Sequence, residues 1–209
     1  DNVMLGSFSE EALSGAALVN QIQFILQCIL LAIGTGVSLL SSQYWGKQKS
    51  LQQENTDTTE MQSVRNAGNI GAVLCIFIAA LFFLIATIIP RQCLELFSKD
   101  QAIIEEGIKY LSIIRFSYLF FALVNIILAI LRSVEIVYIG TVSSTISLIL
   151  KVILNYILIY GNLGAPRLGI SGAALATFAA HFVEFAVVFW FLWKKDNRIR
   201  FLYYKPCFN

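Results

Sequence analysis

Five polar residues, Thr141, Ser144, Ser147, Lys151 and Asn155, recur at steps of three, three, four and four through a segment made mostly of Ile, Leu, Val and Tyr. That is the period of one helix face. A lysine inside an apolar span is expensive in hydrocarbon, so the stripe has to face protein or a water-filled cavity. Ser and Thr alone at such positions read as contacts between closely packed helices. Lys151 with Asn155 turns the reading toward a cavity that does something.

Two other segments carry comparable lines. Asn20, Gln23, Gln27, Gly34, Ser38 and Ser41 or Ser42 fall at or near helical spacing, and so do Ser112, Arg115, Tyr118, Ala122 and Asn125. Arg115 lies near the end of its span and reads as a side chain that snorkels to the headgroups, whereas Asn125 is deeper and has no such escape. Three polar faces on three spans predict one cavity on the inner face of a bundle, lined by Gln27, Asn125, Lys151 and Asn155, with Ser147 on the same wall. His181 and Glu184 sit three apart on one helix face. They are too few for a metal site; a mutually satisfied structural pair is the simpler reading, a proton relay the other. Cys28, Cys75, Cys93 and Cys207 are far apart, with no CxxC or Cys/His spacing, and predict neither a disulfide framework nor a metal centre.

The elements that must position these residues are apolar helices. The chain has 209 residues, 57% hydrophobic and only 13% charged, with mean hydropathy +0.73. The apolar share exceeds the usual ~45–50% and the charged share is about half the usual ~25%. The fold class is therefore an all-α membrane protein, a polytopic helical bundle whose first partner is the lipid bilayer. Net charge +2, with no basic patch interleaved by aromatics, argues against nucleic acid. Five spans are expected over residues 12–44, 67–89, 108–131, 137–160 and 169–193. The connections are a short loop over 1–11, a water-exposed loop over 45–66, an amphipathic connector over 91–109 and a Gly/Pro turn over 161–172. Gly169, Gly172, Ala173, Ala174 and Ala176 at the start of the fifth span allow close backbone approach.

Loop charges set the orientation. Lys47, Lys49, Arg65, Arg132, Lys194, Lys195, Arg198, Arg200 and Lys205 fall on one side, against Arg91, Lys99, Lys109 and Arg167 on the other. The first side is expected to be cytoplasmic. Five spans then leave residue 1 outside, and Asp1 follows no signal-type segment, so a further helix is expected ahead of it.

Several stretches carry a family resemblance in a fixed order: DNVMLGSFSEEALSGAALVNQIQFI, GTGVSLLSSQYWGK, YLSI with LRS, ILNYILIYGNLGAPRLGISGAALAT, and HFVE. Together they resemble the multidrug and toxic compound extrusion family across nearly the whole chain. The resemblance implies a transporter, not an enzyme, of twelve helices in two six-helix lobes that works by alternating access. This chain would supply five transmembrane helices of the six-helix N-terminal lobe, and the C-terminal lobe of the same polypeptide would be its partner. It further implies that Asp1 and Asn155 belong to a cation- or proton-binding site. Lys151, one turn before Asn155 where Asn is common in the family, is a departure from the pattern that bears on that site. Gln27, Asn125 and Ser147 would lie along the substrate cavity. No cofactor is implied, only a coupling ion, H+ or Na+.

The function expected on these grounds is secondary antiport of organic, often cationic, compounds across a bacterial inner membrane. A flippase for lipid-linked sugars is the alternative within transport, favoured by a more basic cavity such as Lys151 and Arg115 would give. A membrane-embedded enzyme using Lys151, His181 and Glu184 would need a nucleophile and an orienting group at one depth, and no motif supplies them.

Overall fold

The computed structural model describes residues 2–50, 59–161 and 166–195. Asp1, Cys207 and the basic residues Arg198, Arg200 and Lys205 lie outside the described residues. Helices account for nearly all of what is described: α1 (Asn2–Gly6), α2 (Glu10–Ser50), α3 (Thr59–Ile88), α4 (Pro90–Glu95), α5 (Gln101–Ile114), α6 (Ser117–Ser133), α7 (Tyr138–Tyr160) and α8 (Ile170–Lys195). By length and composition α2, α3, α7 and α8 can each cross a membrane, and α5 with α6 makes a fifth crossing if the bent pair is taken as one span. Large apolar side chains such as Leu39, Phe77, Ile88, Leu148 and Trp193 point outward. In water such a belt would be a liability, whereas against lipid tails it costs nothing. This is a multi-pass membrane protein.

The helices overrun the expected spans. At 41 residues α2 is ~60 Å long, twice a ~30 Å hydrocarbon core, and it ends with Lys47 and Lys49 in its last turn, where cations complement the exposed carbonyls. Residues 59–66, expected in a water-exposed loop, form the first two turns of α3, and Val64 and Arg65 are buried. Their polar composition hid this, because Glu, Gln and Arg are good helix formers once packing supplies a face.

The third crossing differs most from expectation. Residues 101–109, expected in the interfacial connector, begin α5, with the Asp100 carboxylate capping the Ala102 N–H at 3.0 Å. The crossing then breaks at Arg115–Phe116 and turns by 56° into α6. Neither Gly nor Pro marks the break. The ladder tightens instead: the Phe116 N–H donates to Ile113 and the Tyr118 N–H to Arg115, while the Ser117 hydroxyl donates to the Ile114 carbonyl at 2.6 Å. The line from Ser112 to Asn125 is thereby split, and Tyr118 and Ala122 on its far side are fully buried in the core.

Helix pairs close where side chains vanish. A Cβ on Gly15 would stand 2.8 Å from the Gly107 nitrogen on α5, and one on Gly172 would stand 2.6 Å from the Leu158 carbonyl oxygen on α7. One on Gly71 would meet Val37 at 2.4 Å and Ile126 at 2.8 Å, at the seam of α2, α3 and α6. Lipid tails are as apolar as leucine, so helix association in a bilayer relies on such backbone approach. At the end rich in Lys and Arg, the basic end, Lys49 pairs with Glu135 at 3.0 Å across α2 and the α6–α7 turn. Glu135 there has φ 67, and Gly161 ends α7 in the left-handed region with φ 73. At the opposite end Ser7 and Tyr160 share a short hydroxyl–hydroxyl hydrogen bond that ties the start of the bundle to the end of α7.

Candidate functional site

Parts of the α6 and α7 polar lines, Asn125 and Thr141 with Ser144, border a cleft of about 390 Å³ at the basic end of the bundle, bounded by α2, α6, α7 and α8. Leu31, Leu128, Ile136 and Val137 give it apolar walls; Asn125, Arg132, Thr141, Ser144 and Glu184 give it polar groups, and Gly140 completes the lining. Most of the polar groups are already satisfied along their own helices. The Asn125 amide donates to the Phe121 carbonyl at 2.9 Å, Arg132 Nε to Leu128 at 3.2 Å, and the Ser144 hydroxyl to Thr141 at 3.2 Å. These bonds fix the side chains while leaving oxygen lone pairs available to a guest.

Glu184 is the one carboxylate in this lining, with a side chain only 15% exposed. One turn back on α8, His181 Nδ1 stands 3.6 Å from its Oε2. That is too long for a good hydrogen bond. His181 Nδ1 is buried with no hydrogen-bond partner, and the imidazole meets the Phe121 ring edge-on with centroids 5.2 Å apart. The two side chains thus lie side by side on one face of α8 without a hydrogen bond between them.

The expected site residues divide. Asn125 lines the cleft, and Thr141 and Ser144 from the α7 stripe line it too. Gln27 is exposed, one helical turn before Leu31. Ser147 does not line this cleft: it is buried, and its hydroxyl donates to the Ala180 carbonyl of α8 at 3.0 Å. Lys151 is half-buried and Asn155 buried, one and two turns further from the basic end. Asp1 lies outside the described residues. Arg115, expected to snorkel, rests its guanidinium over the rings of Phe83 and Phe116, 5.9 and 5.2 Å from their centroids, with a buried Nε that has no hydrogen-bond partner.

Two polar residues escaped sequence reasoning. Tyr110 is fully buried on α5 and hydrogen-bonds to the Thr177 side chain of α8. Thr177 closes the small-residue run from Gly169, and Tyr110 sits just past a segment that reads as connector, so neither belonged to a visible stripe. Their signal is a polar residue at the edge of an apolar run, which is weak alone.

The family model for MatE matches residues 1–157. The chain belongs to the MatE family. Its members are transporters, not enzymes, which removes the catalytic reading of Lys151, His181 and Glu184. Among curated relatives it is 24% identical to a probable multidrug resistance protein NorM of Thermotoga maritima over 94% of the chain and 40% of that protein. It is 27% identical to the NorM of Photorhabdus laumondii over 100% of the chain and 43% of that protein. The chain thus spans about two fifths of the length of these relatives. In fold it is similar to a crystal structure of MATE in the bent conformation, with TM-score 0.76 and 20% identity over 99% of the chain and 43% of that structure. An outward-facing MATE transporter of the MOP superfamily superposes with TM-score 0.74 over 94% of the chain and 41% of that structure, at 19% identity. The helical membrane fold is therefore that of MATE transporters.

Proposed function

We propose that this chain supplies five transmembrane helices of the six-helix N-terminal lobe of a secondary active transporter that exports organic, often cationic, compounds in exchange for protons or sodium ions by alternating access. The observation that carries the reading is the cleft: a nearly buried carboxylate, Glu184, set among apolar walls and hydroxyl groups at one end of a membrane bundle. A polar, roomy recess inside a bundle has no structural use that better apolar packing would not serve, whereas transport needs a guest site reached from one side. The relatives' names, multidrug resistance proteins, point the same way.

On this reading the basic end faces the bacterial cytoplasm, because Lys and Arg collect there. Asp1, Lys151 and Asn155 form the cation-binding region of the lobe, and Gln27, Asn125 and Ser147 lie along the route of the substrate. A second lobe in the same polypeptide supplies the surface against which this one moves, as repeat-built transporters require. The test uses the full-length polypeptide in inside-out membrane vesicles, with ethidium added outside as a fluorescent cation. Uptake that collapses when either the proton or the sodium gradient is dissipated supports antiport. Uptake indifferent to both gradients contradicts it.

A further inference from the structure

Arg115 carries an unanswered charge at the bend between α5 and α6. Its guanidinium lies over the Phe83 and Phe116 rings, and its Nε is buried with no hydrogen-bond partner. Among the described residues no carboxylate pairs with it: Glu95 is held by Arg91 at 3.2 Å and Glu106 by Lys109 at 2.5 Å. We propose that Arg115 is the phosphate ligand for a bound anionic glycerophospholipid, seated where α5 turns away from α3 in the half of the bundle opposite the basic end.

The fold makes room for such a guest. Whereas α3 packs along α6, it hardly touches α5, because the crossing turns by 56° at Arg115–Phe116. The two helices therefore diverge from the point where Arg115 meets Phe83, and α4 joins them at their far ends. Around that point Leu84, Phe116 and Leu119 are exposed, a surface suited to acyl chains. Up α5 from Arg115, Ser112 and Lys109 recur at steps of three and are both exposed, so a polar strip leads from the end of the bundle down to the guanidinium. Phe83 stands five residues before the end of α3 at Ile88, ~8 Å along the axis. A headgroup phosphate and a long cationic side chain span that depth together.

The chemistry selects the anion. An unpaired cation against lipid is costly, and its usual relief is to snorkel to water. Here the two rings hold the guanidinium in place, 5.9 and 5.2 Å from their centroids, so the counter-charge has to come to it. Phosphate oxygens match the guanidinium fork. Free phosphate would have to shed its water among Leu84 and Leu119, whereas a lipid diester arrives with its chains already in the apolar layer. A zwitterionic lipid brings its own ammonium to compete for the phosphate, which favours an anionic headgroup. The site lies apart from the cleft at the basic end and does not depend on what that cleft admits.

The test uses the full-length protein in detergent, stripped of lipid. It is titrated with dioleoylphosphatidylglycerol, dioleoylphosphatidylcholine or inorganic phosphate while native mass spectrometry counts the bound molecules. The parent should hold one phosphatidylglycerol more tightly than the rest, and Arg115→Gln should weaken that event about tenfold or more, as expected for losing one charge-assisted pair. Arg115→Lys should weaken it less, and Phe83→Leu, which removes one ring, about twofold to fivefold. Phosphatidylcholine should bind the parent and Arg115→Gln alike, and Arg91→Gln, already paired with Glu95, should behave like the parent. Undiminished phosphatidylglycerol binding in Arg115→Gln would overturn the proposal, and a lowered thermal midpoint of that lipid-free variant would then mark a carboxylate of the protein as the partner. Equal weakening in Arg91→Gln would also overturn it, by showing diffuse surface charge, as would displacement of the lipid by inorganic phosphate, by showing a free-anion site. If Arg115→Gln fails to fold, by size-exclusion chromatography, unchanged binding in both Arg115→Lys and Phe83→Leu would overturn it instead.

Discussion

Along the same pair of helices, α7 and α8, two stretches behave in opposite ways. Toward the far end they touch backbone to backbone: Gly172 lies against the Leu158 carbonyl and Ala173, Ala174 and Ala176 are fully buried. Toward the basic end the polar side chains of one, Thr141 and Ser144, and the Glu184 carboxylate of the other border a cleft that reaches across to α6 and α2. Ser147, bonded to the Ala180 carbonyl, is the boundary. A helix face of one period can thus serve as glue for half its length and as cavity wall for the rest. What decides is the residue opposite, since Gly and Ala admit the neighbouring backbone while Glu holds it off.

The comparison can be broken most forcefully at the tight end. Gly172→Ala places a methyl group 2.6 Å from a backbone oxygen that cannot swing aside, so it should cost roughly 2–3 kcal/mol and be seen as a clear fall in the thermal midpoint in detergent. Gly71→Ala, which meets the side chains of Val37 and Ile126 instead of backbone, should cost less, about 1 kcal/mol, in the same assay. An equal loss at both sites would mean that backbone contact is not what holds α7 to α8.

The boundary residue gives a finer test. Ser147→Ala removes one interhelical hydrogen bond and should cost roughly 0.6 kcal/mol. Ser144→Ala, whose hydroxyl bonds only within its own helix, should change stability by less than about 0.5 kcal/mol. A double substitution with Glu184→Gln should leave the Ser147 effect unchanged, because the strut and the carboxylate share no partner.

Much of the bundle was legible in the sequence for a physical reason. Long apolar runs can only be spans in a chain with so little charge, and small residues from Gly169 to Ala176 announced the close approach that Gly172 makes to Leu158. The break at Arg115–Phe116 was not legible, because it is made by hydrogen bonds from Ser117 and Phe116 and not by Gly or Pro. Helical turns over 59–66 were hidden by polar composition, since a sequence of good helix formers reads as loop until packing buries Val64 and Arg65. The candidate site was half visible. Periodicity identified the face that carries Thr141, Ser144 and Ser147, but period alone cannot say whether a neighbouring backbone or a cavity lies opposite. Gln27 shows the same limit from the other side: its spacing puts it one turn from Leu31, yet its side chain is exposed, not part of the lining.

The claim on which the rest depends is that the α7 stripe passes from packed to water-accessible between Ser147 and Ser144. Its most direct test is labelling by a membrane-impermeant maleimide of Ser144→Cys and Ser147→Cys, one at a time, in the full-length protein in inside-out vesicles. Rapid modification at 144 and none at 147 is the predicted result. Equal rates at the two positions, or no reaction at 144 when the outer surface of these vesicles is the cytoplasmic one, would contradict it.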